Sequence, residues 1–430
     1  MRVLIISAEV WQDATNGGNV LSNIFSGTGF ELAQIYCNPG APQNALCTRY
    51  YQMTDSMVIR SFLKHRPIGK AFSWQPVQES QVPVSAEQPN KRFYTFFHKH
   101  RLGIFYAARS LAWNLSNWKN EGIRQFISDF HPDIIFAPCY GDKFMLRLTR
   151  YAAELTGKKV ISYISDDSYT LKQFSLSPFF WIRRFSVRRQ LRKTFPYYSL
   201  VYTMTENQKA QCARDFHANM KILLKSVPFG EIPVKTAVST PIRLIYAGGI
   251  YLNRWKTLAA VANAIRRINR DSVRMRLDIY TGNEVSPKMQ TLLDDGTNSV
   301  IHGSVSQDEL KALYHSSDIA LHVESFDLKN RLAVRMSFST KIVDCLSSGC
   351  AVMAVCDALQ GGMIYLKTEN AAICVSEKEE IEKTLREICD RPETVIDYAD
   401  RARKCCERNH SKQQLCETIQ QDFRAICSEA

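Results

Sequence analysis

"IRLIYAGGIYLNRWKTLAAVANAIRRIN", residues 242–269, carries the reading of the fold. A short apolar run suits a buried strand, Gly248 and Gly249 end it, and an amphipathic helical pattern follows. Strand, glycine turn and helix together open a βαβ unit. The same order repeats downstream. "RMRLDIYTGN" reads as a strand and "PKMQTLLDD" as a helix; "SVIHGSV" and "IALHVES" are strands on either side of "SQDELKALYHSSD", a helix with a capping-box start at Ser306 and Glu309. "SFSTKIVDCLSSGCAV", 337–352, reads as a helix that opens with hydroxyls and a lysine, stops at Gly349 and runs into the strand "AVMAVC". From about residue 377 the chain reads as helical.

The first half repeats the alternation. "RVLIIS" is a strand, Gly17-Gly18 a turn, and Val20, Leu21, Ile24 and Phe25 share one helical face. "FELAQIYC", "DIIFAPC", "KKVISYISDD" and "SLVYTMT" are further strands. Residues 67–89, with four prolines, read as a loop or insertion, and 91–119 as an aromatic, basic helical stretch. "EIPVKTAVSTP", 231–241, reads as a linker. The fold expected is α/β: two doubly wound parallel-sheet (Rossmann-like) domains with an interdomain cleft. The divisions are 1–235, 236–410, and a tail 411–430 whose helix, roughly 412–427, would cross back to the first domain by analogy with the fold that the resemblance below implies.

Composition bounds the rest. A chain of 430 residues, 45% hydrophobic and 23% charged, is a folded globular protein of more than one core. Its apolar runs fall far short of the ~18–20 residues of a membrane span. No charged, then apolar, then small-residue leader pattern opens it, so no signal peptide is expected. Its 13 cysteines lack C-x-x-C pairing and read as reduced thiols; no metal site is expected. The net charge of +13 lies wholly in the first half, where residues 1–235 hold 30 basic against 16 acidic residues. That half is expected to meet something anionic: a membrane surface, a nucleic acid or a phosphorylated substrate. "FFWIRRFSVRRQLRK" packs six cations into 183–193, and a helix with aromatics among such cations can lie in a membrane interface.

Polar groups follow the carboxyl ends of the second-half strands, where ligands sit in such sheets. These are Gly248, Gly249, Arg254 and Lys256, then Thr281 and Gly282, His302 and Gly303, Glu324, and Ser339, Thr340, Lys341 and Asp344. Glycines admit a ligand close to the backbone. A helix start and a lysine suit a diphosphate, and a carboxylate one turn on suits ribose hydroxyls. Together they describe a nucleotide-diphosphate site. In the first half Asn16, Gly17, Gly18 and Asn19 form a candidate acceptor or phosphate loop.

In "LIYAGGIYLNRWKTL", "HGSVSQDELKALYHSSDIALHVESFD" and "FSTKIVDCLSSGCAVMAV", and less closely in "RVLIIS", the Gly17-Gly18 loop and "FHPDIIF", the chain resembles the GT-B glycosyltransferases of group 1 (family 4), which include bacterial polysaccharide and lipopolysaccharide sugar transferases. It departs from them at Met336, where the family's first glutamate falls, and at Gly249, where an arginine is frequent. The resemblance implies a hexosyltransferase-type enzyme. It would transfer a sugar, with retention and without metal or cofactor, from a nucleotide-sugar to a glycan or lipid-linked acceptor. The setting implied is bacterial surface polysaccharide assembly, in the cytoplasm or at the inner face of the plasma membrane. Lys341, Lys256 and Arg254 would then hold the leaving diphosphate, Asp344 the ribose, and Glu324 the base or ribose. Asp166 and Asp167 would lie near the reacting sugar. The alternatives are a GT-B nucleotide-sugar epimerase and a basic nucleic-acid-binding protein. The second explains the charge but not the polar strand ends, and no nucleic-acid motif is present, so no nucleic-acid partner is expected.

Overall fold

The computed structural model describes residues 1–13, 15–64, 66–74, 103–227, 230 and 232–428. Two sheets organise them. The first contains Arg2–Ser7 (β1), Glu31–Tyr36 (β2), Arg49–Gln52 (β3), Lys70–Ser73 (β4), Ile134–Pro138 (β5), Val160–Ile164 (β6), Tyr198–Thr203 (β7) and Met220–Ile222 (β8), in the order β4-β3-β2-β1-β5-β6-β7-β8. All its pairings are parallel except β3 with β4. The second contains Ile242–Ala247 (β9), Met275–Tyr280 (β10), Ser299–His302 (β11), Ile319–Val323 (β12), Ala351–Val355 (β13) and Ile373–Val375 (β14), ordered β11-β10-β9-β12-β13-β14 and parallel throughout. The expected pair of doubly wound sheets is present.

The central strands β1, β5, β12 and β13 are buried almost end to end, because helices cover both faces of a parallel sheet. Helix ends follow local chemistry. Asp142 accepts from the amides of Phe144 and Met145 at the start of Lys143–Thr156, and Gly157 closes that helix at φ +66°. The Ser306–Glu309 capping box forms at Gln307–His315.

Several segments differ from expectation. Lys70–Ser73 is a strand inside the expected loop, pairing antiparallel with β3; residues 75–89 lie outside the described residues. Of the aromatic stretch 91–119, residues 91–102 also lie outside them, and the helix described runs Gly103–Leu115. Trp113 and Trp118 are core: Trp113 stacks on Phe144 at 3.7 Å and Trp118 meets the same ring edge-on. They form no membrane edge, because burying an indole against a phenyl ring outweighs leaving it wet. The linker stretch, described from residue 232, has no helix or strand but is anchored by Lys235 to Asp318 at 2.8 Å.

The last helix, Lys412–Ser428, packs on the first sheet. Phe423 is fully buried against Phe25, Phe30 and Phe136, and Asp422 takes hydrogen bonds from Tyr202 (2.7 Å) and Lys221 (2.8 Å). A phenyl ring so buried stabilises by about 2–3 kcal/mol. Its return ties the two sheets into one molecule. Among the described residues no helix is long and apolar enough to cross a membrane.

Candidate functional site

Each sheet reverses its strand order once, between β1 and β5 in the first and between β9 and β12 in the second. At such a point the helices after the two strands depart to opposite faces, and the strand ends open a crevice. In the second sheet the crevice is formed by Gly248 and Gly249 after β9 and by Glu324 and Ser325 after β12. In the first it is formed by the turn holding Glu9 after β1 and by Tyr140 and Gly141 after β5.

Lys341 is the central group of the second crevice. Its Nζ is enclosed, has no hydrogen-bond partner among the described residues and lies 5.4 Å from the centre of the Tyr246 ring. Gly248 makes room for it. A Cβ on Gly248 would fall 1.8 Å from that nitrogen, and the glycine's φ of +152° is one side chains avoid. Burial lowers the Lys341 pKa from 10.5 to about 8, and the nearby Arg254 charge adds to the effect. His322, in mid β12, is also buried with Nε2 unpartnered; burial lowers its pKa to about 4, so it is neutral at pH 7.

The other expected cations are already committed. Arg254 opens the helix Arg254–Ile268 and is buried in a bidentate pair with Glu324, at 2.8 and 2.7 Å. Neither is a free contact for diphosphate or base, because two charges withdrawn from water hold each other. Lys256, half-exposed at the rim, lies 3.0 Å from Asp327. Asp344, expected to hold the ribose, pairs at 2.6 Å with Lys225 of the first half and so links the two sheets.

The remaining donor-side residues build the crevice walls. Thr281 Oγ1 accepts from the Asn283 amide, and the Asn283 side chain accepts from the Ile250 amide at 2.8 Å, which shapes the Gly248–Ile250 turn. Gly249 touches the Tyr251 ring too closely to carry a side chain. His302 stacks on Tyr280 and pairs with Asp278 at 2.8 Å, a packed slot at the outer strand. Gly303 borders open space, whereas a Cβ on Gly282 would meet the Ser304 Cβ at 3.5 Å. The Ser339 carbonyl accepts from the Ile342 amide, and Thr340 lines a small cavity together with Asn19 and Lys225 of the first half. The helix that follows, Lys341–Leu346, has six residues and no side-chain cap. It concentrates little dipole, so the positive charge here is the lysine's own.

On the other side, Gly17 donates its amide to the Glu9 carboxylate at 3.1 Å. The start of the helix Asn16–Phe25, the expected acceptor or phosphate loop, thus holds an anion from its own chain. Gly18 is pressed against the Gln12 backbone, and Asn19 is an exposed residue of the first turn. The Tyr140 hydroxyl lies 3.5 Å from where a Gly17 Cβ would stand; burial, Glu9 and Asp166 all raise its pKa. The two aspartates expected near the sugar part company. Asp166 is exposed and accepts from Ser337 Oγ at 2.8 Å across the cleft. Asp167 is buried, pairs with Arg184 at 2.7 Å and binds the Thr170 hydroxyl and amide, so it is a structural group. Glu9, Tyr140 and His322 escaped the sequence reading. Glu9 two residues past a strand was the one visible signal.

No curated protein matches the sequence. Residues 258–421 match the family model described as glycosyl transferase-like. Among solved structures, a sucrose-phosphate synthase from Thermosynechococcus elongatus aligns over 100% of both chains at TM-score 0.62 and 11% identity. Anabaena HepE in complex with UDP aligns over 99% of this chain and 100% of its own at 0.63 and 11%. An E. coli trehalose-6-phosphate protein bound with UDP-2-fluoro glucose aligns over 98% and 99% at 0.58 and 10%. The family match covers most of the second half of the chain, and the two-sheet arrangement of these structures, the GT-B fold, extends over its whole length.

Proposed function

We propose that the protein transfers a sugar from a UDP-sugar to a hydroxyl of a glycan or lipid-linked acceptor, with retention. Residues 236–410 take the donor, residues 1–235 the acceptor, and residues 411–430 brace the two. The observation that carries the reading is Lys341, an enclosed ammonium with no protein partner at the strand-order switch. As the bond from the sugar's anomeric carbon to the diphosphate breaks, negative charge grows on the leaving oxygen. A desolvated ammonium fixed beside it stabilises that charge by on the order of 3 kcal/mol. UDP is the nucleotide bound in two of the proteins of similar fold. Across the cleft, the exposed Asp166 and the Glu9–Tyr140 pair offer acceptors to sugar hydroxyls.

The acceptor side also carries the basic helix Pro178–Thr194. Phe179, Ile182 and Phe185 stand exposed at a three-residue spacing, with Arg189, Arg192 and Lys193 exposed on the same helix. Apolar side chains beside cations suit an anionic membrane surface, the natural location of a lipid-linked acceptor.

Thermal unfolding against UDP, GDP, ADP and CMP tests the reading. UDP at a hundred times its dissociation constant should add about 2.7 kcal/mol of stability to the wild type. Lys341→Ala should lose most of that gain. A melting temperature indifferent to every nucleotide refutes it.

A further inference from the structure

The stretch Leu332–Ser337 is held against the first domain by three hydrogen bonds. Gln173 donates to the Leu332 carbonyl (3.0 Å), Thr205 to the Met336 carbonyl (2.9 Å), and Ser337 to Asp166 (2.8 Å). Within it lies Arg335. Its Nε and Nη2 are both enclosed, and neither has a hydrogen-bond acceptor. The other arginines with an enclosed unpartnered nitrogen, Arg266, Arg331 and Arg403, each pair with a carboxylate through another one. Arg335 alone among them has no ion pair with the described residues.

Enclosed guanidinium donors without acceptors are costly, and buried polar groups in proteins are nearly always matched. Nε and Nη2 form one edge of the planar fork, two parallel N–H groups spaced to take both oxygens of a carboxylate or phosphate. Other cations of the second half and its border with the first are already matched: Arg254 with Glu324, Lys256 with Asp327, Arg331 with Asp357 and Lys225 with Asp344. Among the described residues, Lys341, six residues on, is the other cation whose enclosed nitrogen has neither a hydrogen bond nor an ion pair. Two unmatched cations six residues apart, the first in a stretch bonded to the first domain, call for two negative groups on what binds there.

We propose that Arg335 is an oxyanion-recognition residue, its Nε–Nη2 edge taking a carboxylate or phosphate carried by the transferred sugar or by the acceptor. This rests on the nucleotide-sugar reading and adds a second negative group beyond the diphosphate given to Lys341. The protein therefore prefers an anionic sugar on one side of the transfer.

Calorimetry with four probes tests it. UDP-glucose and UDP-glucuronate compare a neutral with a carboxylate donor. Glucose and glucose 6-phosphate, each added to the UDP-saturated protein, compare a neutral with a phosphorylated acceptor. One charged probe should bind about tenfold or more tighter than its neutral counterpart, as a charge-assisted bidentate contact gives. The arm that shows it names the source. Arg335→Gln should abolish that ratio while UDP affinity stays within about twofold of wild type, and Arg335→Lys, which keeps the charge but loses the fork, should retain only part of it. Ratios near one in both wild-type arms, or a ratio that survives Arg335→Gln, overturn the proposal, and leave the donor reading standing if UDP still binds through Lys341. No UDP binding at all overturns both.

Discussion

The lowered pKa of Lys341 makes nucleotide affinity a function of pH, with a sign that can be worked out. The free protein's ammonium loses its proton near pH 8. A bound diphosphate beside it favours the charged form and raises that pKa, so binding takes up a proton wherever the free lysine is neutral. At pH 7 about nine-tenths of Lys341 is charged, and at pH 9 about one-tenth, by the tenfold change per pH unit that a single titrating group follows. The dissociation constant of UDP should therefore rise about tenfold from pH 7 to pH 9, a loss of about 1.4 kcal/mol. Isothermal calorimetry at pH 7, 8 and 9, in buffers of different ionisation enthalpy, reads both affinity and proton uptake. Lys341→Gln should bind more weakly at pH 7, with little further change to pH 9 and no proton uptake near pH 8. A wild-type affinity that is flat from pH 7 to pH 9 refutes the reasoning. Stability should move the opposite way in the free protein. The unfolded lysine holds its proton to about pH 10.5, so between pH 8 and 10.5 the unfolded state binds more protons, and this residue's contribution rises with pH.

Other outcomes follow from the same contacts. Gly248→Ala should push Lys341 aside, weakening UDP at least tenfold in calorimetry, with about 1–2 kcal/mol of lost stability for the forced backbone angle. Asp344→Asn should leave UDP affinity unchanged and cost less than about 1 kcal/mol in denaturant titration, because its half-exposed pair with Lys225 is screened; a tenfold affinity loss would restore the ribose assignment. Asp167→Asn should cost about 3–5 kcal/mol in the same titration, since it leaves the Arg184 charge buried without a counter-ion. Phe179→Asp with Ile182→Asp should abolish sedimentation with phosphatidylglycerol vesicles while the melting temperature holds; unchanged sedimentation removes the membrane contact.

Sequence alone determined the alternation of strands and helices, and with it two doubly wound sheets. Hydrophobic period and glycine or capping signals are local, and β9, β12 and β13 each stood out as short apolar runs. It also placed Gly248, Glu324 and Lys341 on one sheet edge, since residues after parallel strands gather there by construction. Short strands at or next to a sheet edge, β3, β4, β8 and β14, stayed hidden because three or four residues carry too little pattern. Pairing was decided only in three dimensions. That Arg254 is neutralised by Glu324, 70 residues away, and Asp344 by Lys225, 119 away, depends on which side chains the packed sheets bring within 3 Å. That Lys341 and Arg335 remain unmatched is the remainder of the same accounting. A sequence counts charges, but only the tertiary structure tells which of them are already spent on each other, because Coulomb attraction acts on distance through space and not on separation along the chain.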